Sequence, residues 1–322
     1  MKTLVKILVA LVAVVLLVAA AGYIWATVAT NRARSRTIET HRVDFPIPFP
    51  MSEEEAAGLD PETRRAHERM RAIERGRHLV QARYVCVECH GQNFGGGVMV
   101  DTFPLGTLLG SNLTAGRGGR TVGYTPADWD RIVRHGVLPD GRPAVMPSED
   151  FQQMSDQELS DIVSYVQSFP PVDNEVPAST YGPLGRVLIA TGQLHFSADR
   201  IRSHQTAHVE RPPATEASAE FGQHVAAVCM GCHQPDFTGG PITGGDPSWP
   251  PARNLTPHPD ALGRWTYNQF VRALRENVRP DGTPIRLPMT LIAPYAKNMT
   301  DVELQALWAY LRSVPSIAPA AP

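Results

Sequence analysis

An internal duplication constrains the fold of this chain more than any other feature of its sequence. Four segments of the first half recur in the second half in the same order. The pairs are 86–90 with 229–233, 112–114 with 254–256, 125–143 with 266–284, and 154–170 with 299–315. The offset between partners stays between 141 and 145 residues, so the sequence predicts two homologous domains.

The duplication divides the chain into six parts. We expect a transmembrane anchor at 1–31, an extended spacer and charged helix at 32–71, a first domain at 72–172, a linker at 173–216, a second domain at 217–316 and a tail at 317–322. Apolar residues of both domains recur at helical spacing, and no segment alternates as a strand does. Ser52 and Glu55 are spaced as a capping box, which predicts that the charged helix begins near residue 52.

The N-terminal segment is typical of a membrane span, because residues 7–30 carry no charge. At a rise of about 1.5 Å per residue, this run can cross a hydrocarbon core of about 30 Å. Residues 19–21 leave open a cleaved signal peptide, but the apolar run continues through Trp25, which favours a retained anchor. Arginines follow the span, so the charges around it do not determine its orientation.

All four cysteines lie in two Cys-x-x-Cys-His motifs. Their residues are Cys86, Cys89, His90, Cys229, Cys232 and His233. This motif is typical of covalent haem c attachment, because two thiols on one turn can add to the two vinyl groups while the histidine binds the iron. A disulfide, half a zinc site or a thioredoxin-like pair also uses Cys-x-x-Cys. A zinc site would bring two such pairs within about 15–20 residues, whereas here they are a whole domain apart. A thioredoxin-like pair would lie near a βαβ unit, and no such pattern is visible.

The duplicated histidine therefore predicts two covalently bound haem c groups, with His90 and His233 as iron ligands. Met146 and Met289 are the candidates for the opposite axial positions, because each follows the first cysteine of its motif by 60 residues. Met154 and Met299 also correspond between the halves, but both directly precede a final helix, where methionine usually packs in the core. Histidine and methionine together give a saturated iron of raised potential, which favours an electron carrier.

These features resemble class I c cytochromes in a dihaem, membrane-anchored form. They are similar to the cytochrome c subunits of bacterial quinoprotein alcohol and aldehyde dehydrogenases. The resemblance covers both domains and implies an all-α fold of two tandem class I cytochrome c domains behind an N-terminal transmembrane helix. In that family the first and last helices cross at a glycine and an aromatic residue. This implies that Gly76 pairs with Tyr165 and Gly222 with Tyr310.

Two departures from the family are visible. The dehydrogenase cytochromes commonly carry three haems, whereas this chain has two motifs, and Thr290 follows Met289 where the family has proline. Arg134 and Arg275 occupy equivalent positions and are candidates to pair with haem propionates. His195, His204 and His208 lie in the linker and receive no predicted role, since a lone histidine is more often a surface residue than a ligand.

The sequence therefore predicts a membrane-tethered electron carrier with no catalytic residue. The expected donor is a dehydrogenase or quinol-oxidising complex, and the expected acceptor is a soluble cytochrome or an oxidase. A dihaem peroxidase, a thiosulfate-oxidising cytochrome and a purely structural anchoring subunit are the alternatives. Because haem c is attached outside the energy-transducing membrane, we expect a single-pass bacterial inner-membrane protein with a cytoplasmic N-terminus and periplasmic haem domains. The net charge of −2 predicts no nucleic-acid partner.

Overall fold

The computed structural model describes residues 2–242 and 248–319. The last three residues of the predicted tail lie outside this range. Helix α1 (Lys2–Ser35) is 34 residues long, and its most apolar stretch has a mean hydropathy of 3.0 with none of it buried. By length and composition, α1 can cross a membrane.

The second helix begins later than the sequence predicts. Ser52 and Glu55 do bond to each other, with the backbone N–H of each donating to the side-chain oxygen of the other. The residues that follow form only turns, and Gly58 has a φ of +79°. Helix α2 (Pro61–Ala82) starts where the side chain of Asp60 accepts backbone N–H groups. The prediction of a helix from residue 52 was therefore wrong, because Asp60-Pro61 is the cap that begins it.

The first domain is built around α2 and the last helix of its half. Its further elements are α3 (Cys86–His90), β1 (Gly97–Thr102), β2 (Gly106–Gly110), α4 (Pro126–His135), a 3-10 turn (Ser148–Asp150) and α5 (Asp156–Val166). Helices α2 and α5 cross at Gly76, where an added Cβ would lie 2.0 Å from the carbonyl oxygen of Asp161 and 2.8 Å from Cβ of Tyr165. Only glycine permits this close approach.

A small antiparallel sheet contradicts the expectation that the chain contains no strand. Strand β1 pairs with β2, and the register shifts between Val98 and Val100. The linker supplies a third strand, β3 (Thr180–Tyr181), which pairs with β2. The sequence analysis missed the β1–β2 hairpin because its strands show no clean two-residue alternation of apolar and polar residues. The register shift and the partial exposure of both strands remove that alternation.

The linker continues into two short helices, α6 (Pro183–Ala190) and α7 (Ser197–Arg200). Helix α6 packs against the C-terminal part of α1. The hydroxyl of Thr30 donates to the carbonyl of Arg186 at 3.2 Å, and the Arg186 guanidinium donates to the hydroxyl of Thr27 at 3.2 Å. The linker therefore connects the C-terminal part of α1 to the first domain.

The second domain repeats the helices of the first and adds one short helix before its last. Its elements are α8 (Ala219–Ala226), a 3-10 turn (Ala227–Cys229), α9 (Met230–His233), α10 (Tyr267–Glu276), a 3-10 turn (Met289–Ile292), α11 (Ala293–Asn298) and α12 (Asp301–Ser313). Helices α8 and α12 cross at Gly222, whose added Cβ would lie 1.9 Å from the carbonyl oxygen of Ala306 and 2.8 Å from Cβ of Tyr310.

Corresponding helices also begin in the same way. Thr125 and Thr266 open α4 and α10 with capping boxes, and Ser155 and Thr300 open α5 and α12 with capping boxes. Each domain encloses its own apolar core. The chain thus consists of two mostly helical domains with little strand, preceded by a long apolar helix, as the fold-class prediction states.

Candidate functional site

The two Cys-x-x-Cys-His motifs form short helical turns at equivalent places in the two domains. The four cysteines form no disulfide bonds. Cys86 packs against the first core and Cys229 against the second. Burial raises the pKa of both thiols to about 12, so they are protonated at neutral pH. Buried thiols of raised pKa are unlike the exposed, low-pKa cysteines of redox-active Cys-x-x-Cys pairs.

The histidine of each motif is held in one orientation by a backbone carbonyl. Nδ1 of His90 lies 2.8 Å from the carbonyl oxygen of Ser111, and Nδ1 of His233 lies 2.7 Å from that of Arg253. The N–H at Nδ1 donates, which leaves the lone pair on Nε2. Burial lowers the pKa of both rings and so favours the neutral form. A neutral imidazole with a bonded Nδ1–H is the usual state of an iron ligand.

The duplicated Asn-Leu-Thr tripeptide explains how these carbonyls are positioned. It begins at Asn112 and Asn254, directly after the two carbonyls that hold the histidines. The amide of Asn112 donates to the carbonyl of Val172 at 2.7 Å, and that of Asn254 donates to the carbonyl of Ile317 at 2.8 Å. Each tripeptide therefore ties its loop to the segment that follows the last helix of its domain.

The two candidate methionines occupy comparable loops. Met146 is half-buried against the first core and precedes the 3-10 turn at Ser148–Asp150. Met289 is half-buried and opens the 3-10 turn at Met289–Ile292. Neither methionine is enclosed in its core, so both thioethers belong to the loops that follow α4 and α10.

The competing methionines are held in place by the structure. Met154 is 2% exposed within the first core, and Met299 packs against the second. Their backbone carbonyls accept hydrogen bonds from Arg134 at 3.0 Å and from Arg275 at 2.7 Å. Both methionines therefore serve packing and backbone positioning.

Arg134 and Arg275 each have several partners within the protein. Arg134 is fully buried and forms ion pairs with Asp130 at 2.6 Å and Asp156 at 2.8 Å. Arg275 bonds to two carbonyls of its own domain and to Asp301 at 3.3 Å. The prediction that they pair with propionates is wrong for Arg134, whose charge is already matched by two carboxylates.

The two domains meet in an approximately twofold arrangement that the sequence analysis missed. Nε2 of His224, in the first helix of domain 2, lies 2.8 Å from the carboxylate of Glu158, in the last helix of domain 1. Nε2 of His78, in the first helix of domain 1, lies 3.0 Å from the carboxylate of Glu303, in the last helix of domain 2. Equivalent residues therefore make equivalent contacts in both directions.

This arrangement brings each Cys-x-x-Cys-His turn against the opposite domain. The hydroxyl of Tyr295, in α11, donates to the carboxylate of Glu88 at 2.6 Å. In the other direction, a Cβ added to Gly231 would lie 2.2 Å from Oδ1 of Asp150. Burial raises the pKa of Asp150 to about 7. Each attachment segment thus faces the region that follows the candidate methionine of the other domain.

The donor set fits haem c in both domains, since each offers two neutral thiols and an oriented imidazole on one turn. Residues 71–166 match the family model for cytochrome c oxidase, cbb3-type, subunit III, and residues 219–315 match the model for cytochrome c. The chain therefore contains two c-type cytochrome domains in tandem, and its cofactors are two covalently bound haem c groups.

Comparison with known proteins shows which kind of cytochrome this chain resembles. The chain is 28% identical over 270 residues to the alcohol dehydrogenase (quinone) cytochrome c subunit of Gluconacetobacter polyoxogenes, covering 73% of this chain and 54% of the relative. It is 28% identical over 276 residues to the gluconate 2-dehydrogenase cytochrome c subunit of Pantoea cypripedii, covering 75% and 59%. The chain is a dihaem cytochrome homologous to cytochrome c subunits of dehydrogenases, and it spans little more than half the length of these two relatives.

A third relative matches the chain over more of its own length. The diheme cytochrome c-type protein of Cereibacter sphaeroides is 24% identical over 259 residues, which are 72% of this chain and 82% of that protein.

Proposed function

We propose that this protein is a membrane-tethered electron carrier that accepts electrons from a dehydrogenase or quinol-oxidising complex. It passes them to a soluble cytochrome or a terminal oxidase. The observation that carries this proposal is the reciprocal docking of the two domains, in which each attachment turn contacts the other domain. This contact supports electron exchange within one chain, and the dehydrogenase subunits among the relatives support the class of donor.

Each domain offers a complete set of residues for one haem. Cys86 and Cys89 in the first domain, and Cys229 and Cys232 in the second, would form the thioethers. His90 and His233 would bind iron through Nε2, with Met146 and Met289 on the opposite faces. Iron with these axial ligands supplies one-electron chemistry at a raised potential. The domain division at 72–172 and 217–316 is part of this proposal.

A carrier is favoured over a dihaem peroxidase or a thiosulfate-oxidising cytochrome. Those enzymes need one iron with a displaceable or different axial ligand. Here both domains place a methionine 60 residues after the first cysteine, in loops that follow equivalent helices. We therefore assign no catalytic residue.

The first domain presents an apolar surface beside the end of α1, which supports a location at the membrane. Phe103, at the tip of the β1–β2 hairpin, is 88% exposed, and Leu184 and Val187 of α6 are partly exposed. Leu184 and Val187 line one cavity with Tyr23 and Trp25 of α1. Aromatic side chains of this kind concentrate at membrane interfaces. We propose that α1 spans the bacterial inner membrane with its N-terminus in the cytoplasm, so that the haem domains lie in the periplasm.

The proposal is tested by recovering the chain from membranes with its electron donor. The affinity-tagged full chain is extracted in mild detergent, and co-purifying dehydrogenases are identified by mass spectrometry. We expect the substrate of the co-purifying enzyme to reduce both haems, as shown by the visible α-band of ferrous haem c. Failure of substrate to reduce either haem, together with turnover of hydrogen peroxide or thiosulfate by the purified chain, would contradict the carrier function.

A further inference from the structure

Four side chains that can bind metal meet in the first domain, and none of them is a candidate haem ligand. His41 comes from the spacer, Asp130 and His135 come from α4, and His208 comes from the linker. One donor atom from each lies within 4.8 Å of the others. The ring centroids of the three histidines are 5.1 to 5.4 Å apart. Three segments that are distant in sequence thus converge on one point.

The spacings among the donors of His135, His208 and Asp130 are close to those of a tetrahedral metal site. Nε2 of His135 lies 3.2 Å from Nε2 of His208 and 3.5 Å from Oδ2 of Asp130. Nε2 of His208 lies 3.6 Å from Oδ1 of Asp130. Ligands about 2.0–2.1 Å from a tetrahedral zinc ion are themselves about 3.3 Å apart. The cluster therefore needs little rearrangement to close around such an ion.

Neighbouring groups fix which ring nitrogen carries the proton in two of the histidines. Nε2 of His204 donates to the carbonyl of Ala198 at 3.1 Å, so Nδ1 of His204 is an acceptor. Nδ1 of His135 lies 3.2 Å from that acceptor and donates to it. Nδ1 of His41 lies 3.4 Å from the carbonyl oxygen of His204. His204 thus holds both rings with Nε2 free for a metal, as an outer partner of metal ligands does.

The third ring is held in a similar way, because an N–H of His208 donates to the backbone of Gln152. The rings of His135 and His208 are thus held in fixed orientations by neighbouring groups.

The cluster also contains buried acceptors without a partner. Nε2 of His41 and Oδ2 of Asp130 have no hydrogen-bond partner within the part of the chain that the structure describes. The side chains of His135 and Asp130 are 0% and 1% exposed, and that of His208 is 8% exposed. Buried acceptors left in this state each cost about 1–3 kcal/mol. A cation at their centre would bond to all of them at once.

The charge balance also favours a cation. Among the residues that the structure describes, Arg134 is the one arginine or lysine that contacts Asp130, and it also pairs with Asp156. The carboxylates of Asp130 and Asp156 therefore share one guanidinium. Oδ1 of Asp130 is bonded to Arg134, while Oδ2 remains available to a metal.

We propose that His41, Asp130, His135 and His208 bind one divalent transition-metal ion of the zinc type. Three histidines and one carboxylate form a closed set of four ligands, so the site has a structural role. The ion joins the spacer, α4 and the linker, and thereby holds the chain that connects the membrane helix to both domains. This inference is independent of the electron donor and acceptor.

The test uses the full haem-loaded chain in detergent, carrying a tag that contains no histidine. After treatment with a chelator, the protein is dialysed against zinc and its metal content is measured by mass spectrometry. We expect one zinc per chain, in addition to the two haem irons. His208→Ala should weaken zinc binding by at least about tenfold. His195→Ala is the matched control, because His195 lies in the same linker but is exposed and outside the cluster.

A second readout does not depend on metal analysis. Zinc should slow tryptic cleavage of the linker at the exposed residue Arg202 in the wild type and in His195→Ala, but not in His208→Ala. Haem content and the visible spectrum verify folding. If His208→Ala loses haem, His41→Gln in the spacer replaces it. The proposal is overturned if the wild type binds no zinc, or if wild type and variant bind it equally.

Discussion

At the scale of single residues, glycines and buried ion pairs determine how closely the helices approach. Gly76 and Gly222 were predicted as crossing points from the family resemblance, and the structure shows both at helix crossings. Glu158 could not be found in this way. It is buried between Arg83 at 2.9 Å and His224 at 2.8 Å, two partners that come from different domains.

Gly76→Ala should destabilise the first domain by about 3 kcal/mol, because the new Cβ would overlap the backbone of α5. Chemical unfolding of the holoprotein, followed by haem absorbance, measures the loss. Met70→Ala is the control, since Met70 is 59% exposed on the same helix and should change stability by no more than about 0.5 kcal/mol. Equal stabilities for the two variants would show that the helices do not cross at Gly76.

Glu158→Ala should cost about 3–5 kcal/mol, because it leaves the buried charge of Arg83 without its partner. Glu303→Ala should cost less, since its partner His78 is 37% exposed and solvent screens the pair. Urea unfolding at pH 7 measures the free energy of unfolding of Glu158→Ala and Glu303→Ala against the wild type. A larger loss for Glu303→Ala would contradict this assignment of the interface.

The same carboxylate predicts a pH dependence. Burial raises the pKa of Glu158, but Arg83 and His224 outweigh it and lower the pKa to about 2 from 4.5. Its stabilisation is therefore complete above pH 4.5 and is lost as the pH falls towards 2. The stability difference between the wild type and Glu158→Ala should shrink over this range. A difference that stays constant from pH 7 to pH 3 would contradict the ion pair.

At the scale of elements, the repeated loops are the part that sequence reasoning described best. The recurrence of Asn-Leu-Thr marked the loop, and the structure adds that the residue before it holds the motif histidine. The strands and the start of α2 were missed because a bulged hairpin and a proline-started helix lack the periodicity on which such predictions depend. The cluster of His41, His135 and His208 was missed because its members come from three unrelated segments.

Asn112→Ala should destabilise the first domain by about 1–3 kcal/mol, since Asn112 is fully buried and several backbone groups would lose their partner. The loosened loop should also broaden the electron paramagnetic resonance signal of the first haem. Thermal unfolding and that spectrum measure the two effects. An unchanged spectrum with unchanged stability would show that Asn112 does not position the carbonyl that holds His90.

At the scale of the whole molecule, the duplication predicted two domains but not how they would meet. The equivalent pairs His78–Glu303 and His224–Glu158 place the two halves face to face. Such pairing depends on tertiary geometry, so no spacing within the sequence indicated it.

The double variant His78→Ala/His224→Ala should loosen this contact while each domain keeps its own core. Hydrogen exchange should rise at residues 148–150 and 227–233, which lie at the interface, and remain unchanged in α1. Electron exchange between the haems should become slower. Unchanged protection of both interface segments would mean that the histidine pairs do not hold the domains together.

The central claim is that both haems carry electrons and that both have histidine and methionine as axial ligands. The spectrum of the oxidised protein tests it most directly, through the weak red band of methionine-bound ferric haem in the wild type, Met146→Ala and Met289→Ala. The account predicts a band from both haems, reduced by about half in each variant as one iron loses its thioether. A high-spin haem in the wild type, or a spectrum that Met289→Ala leaves unchanged, would contradict it.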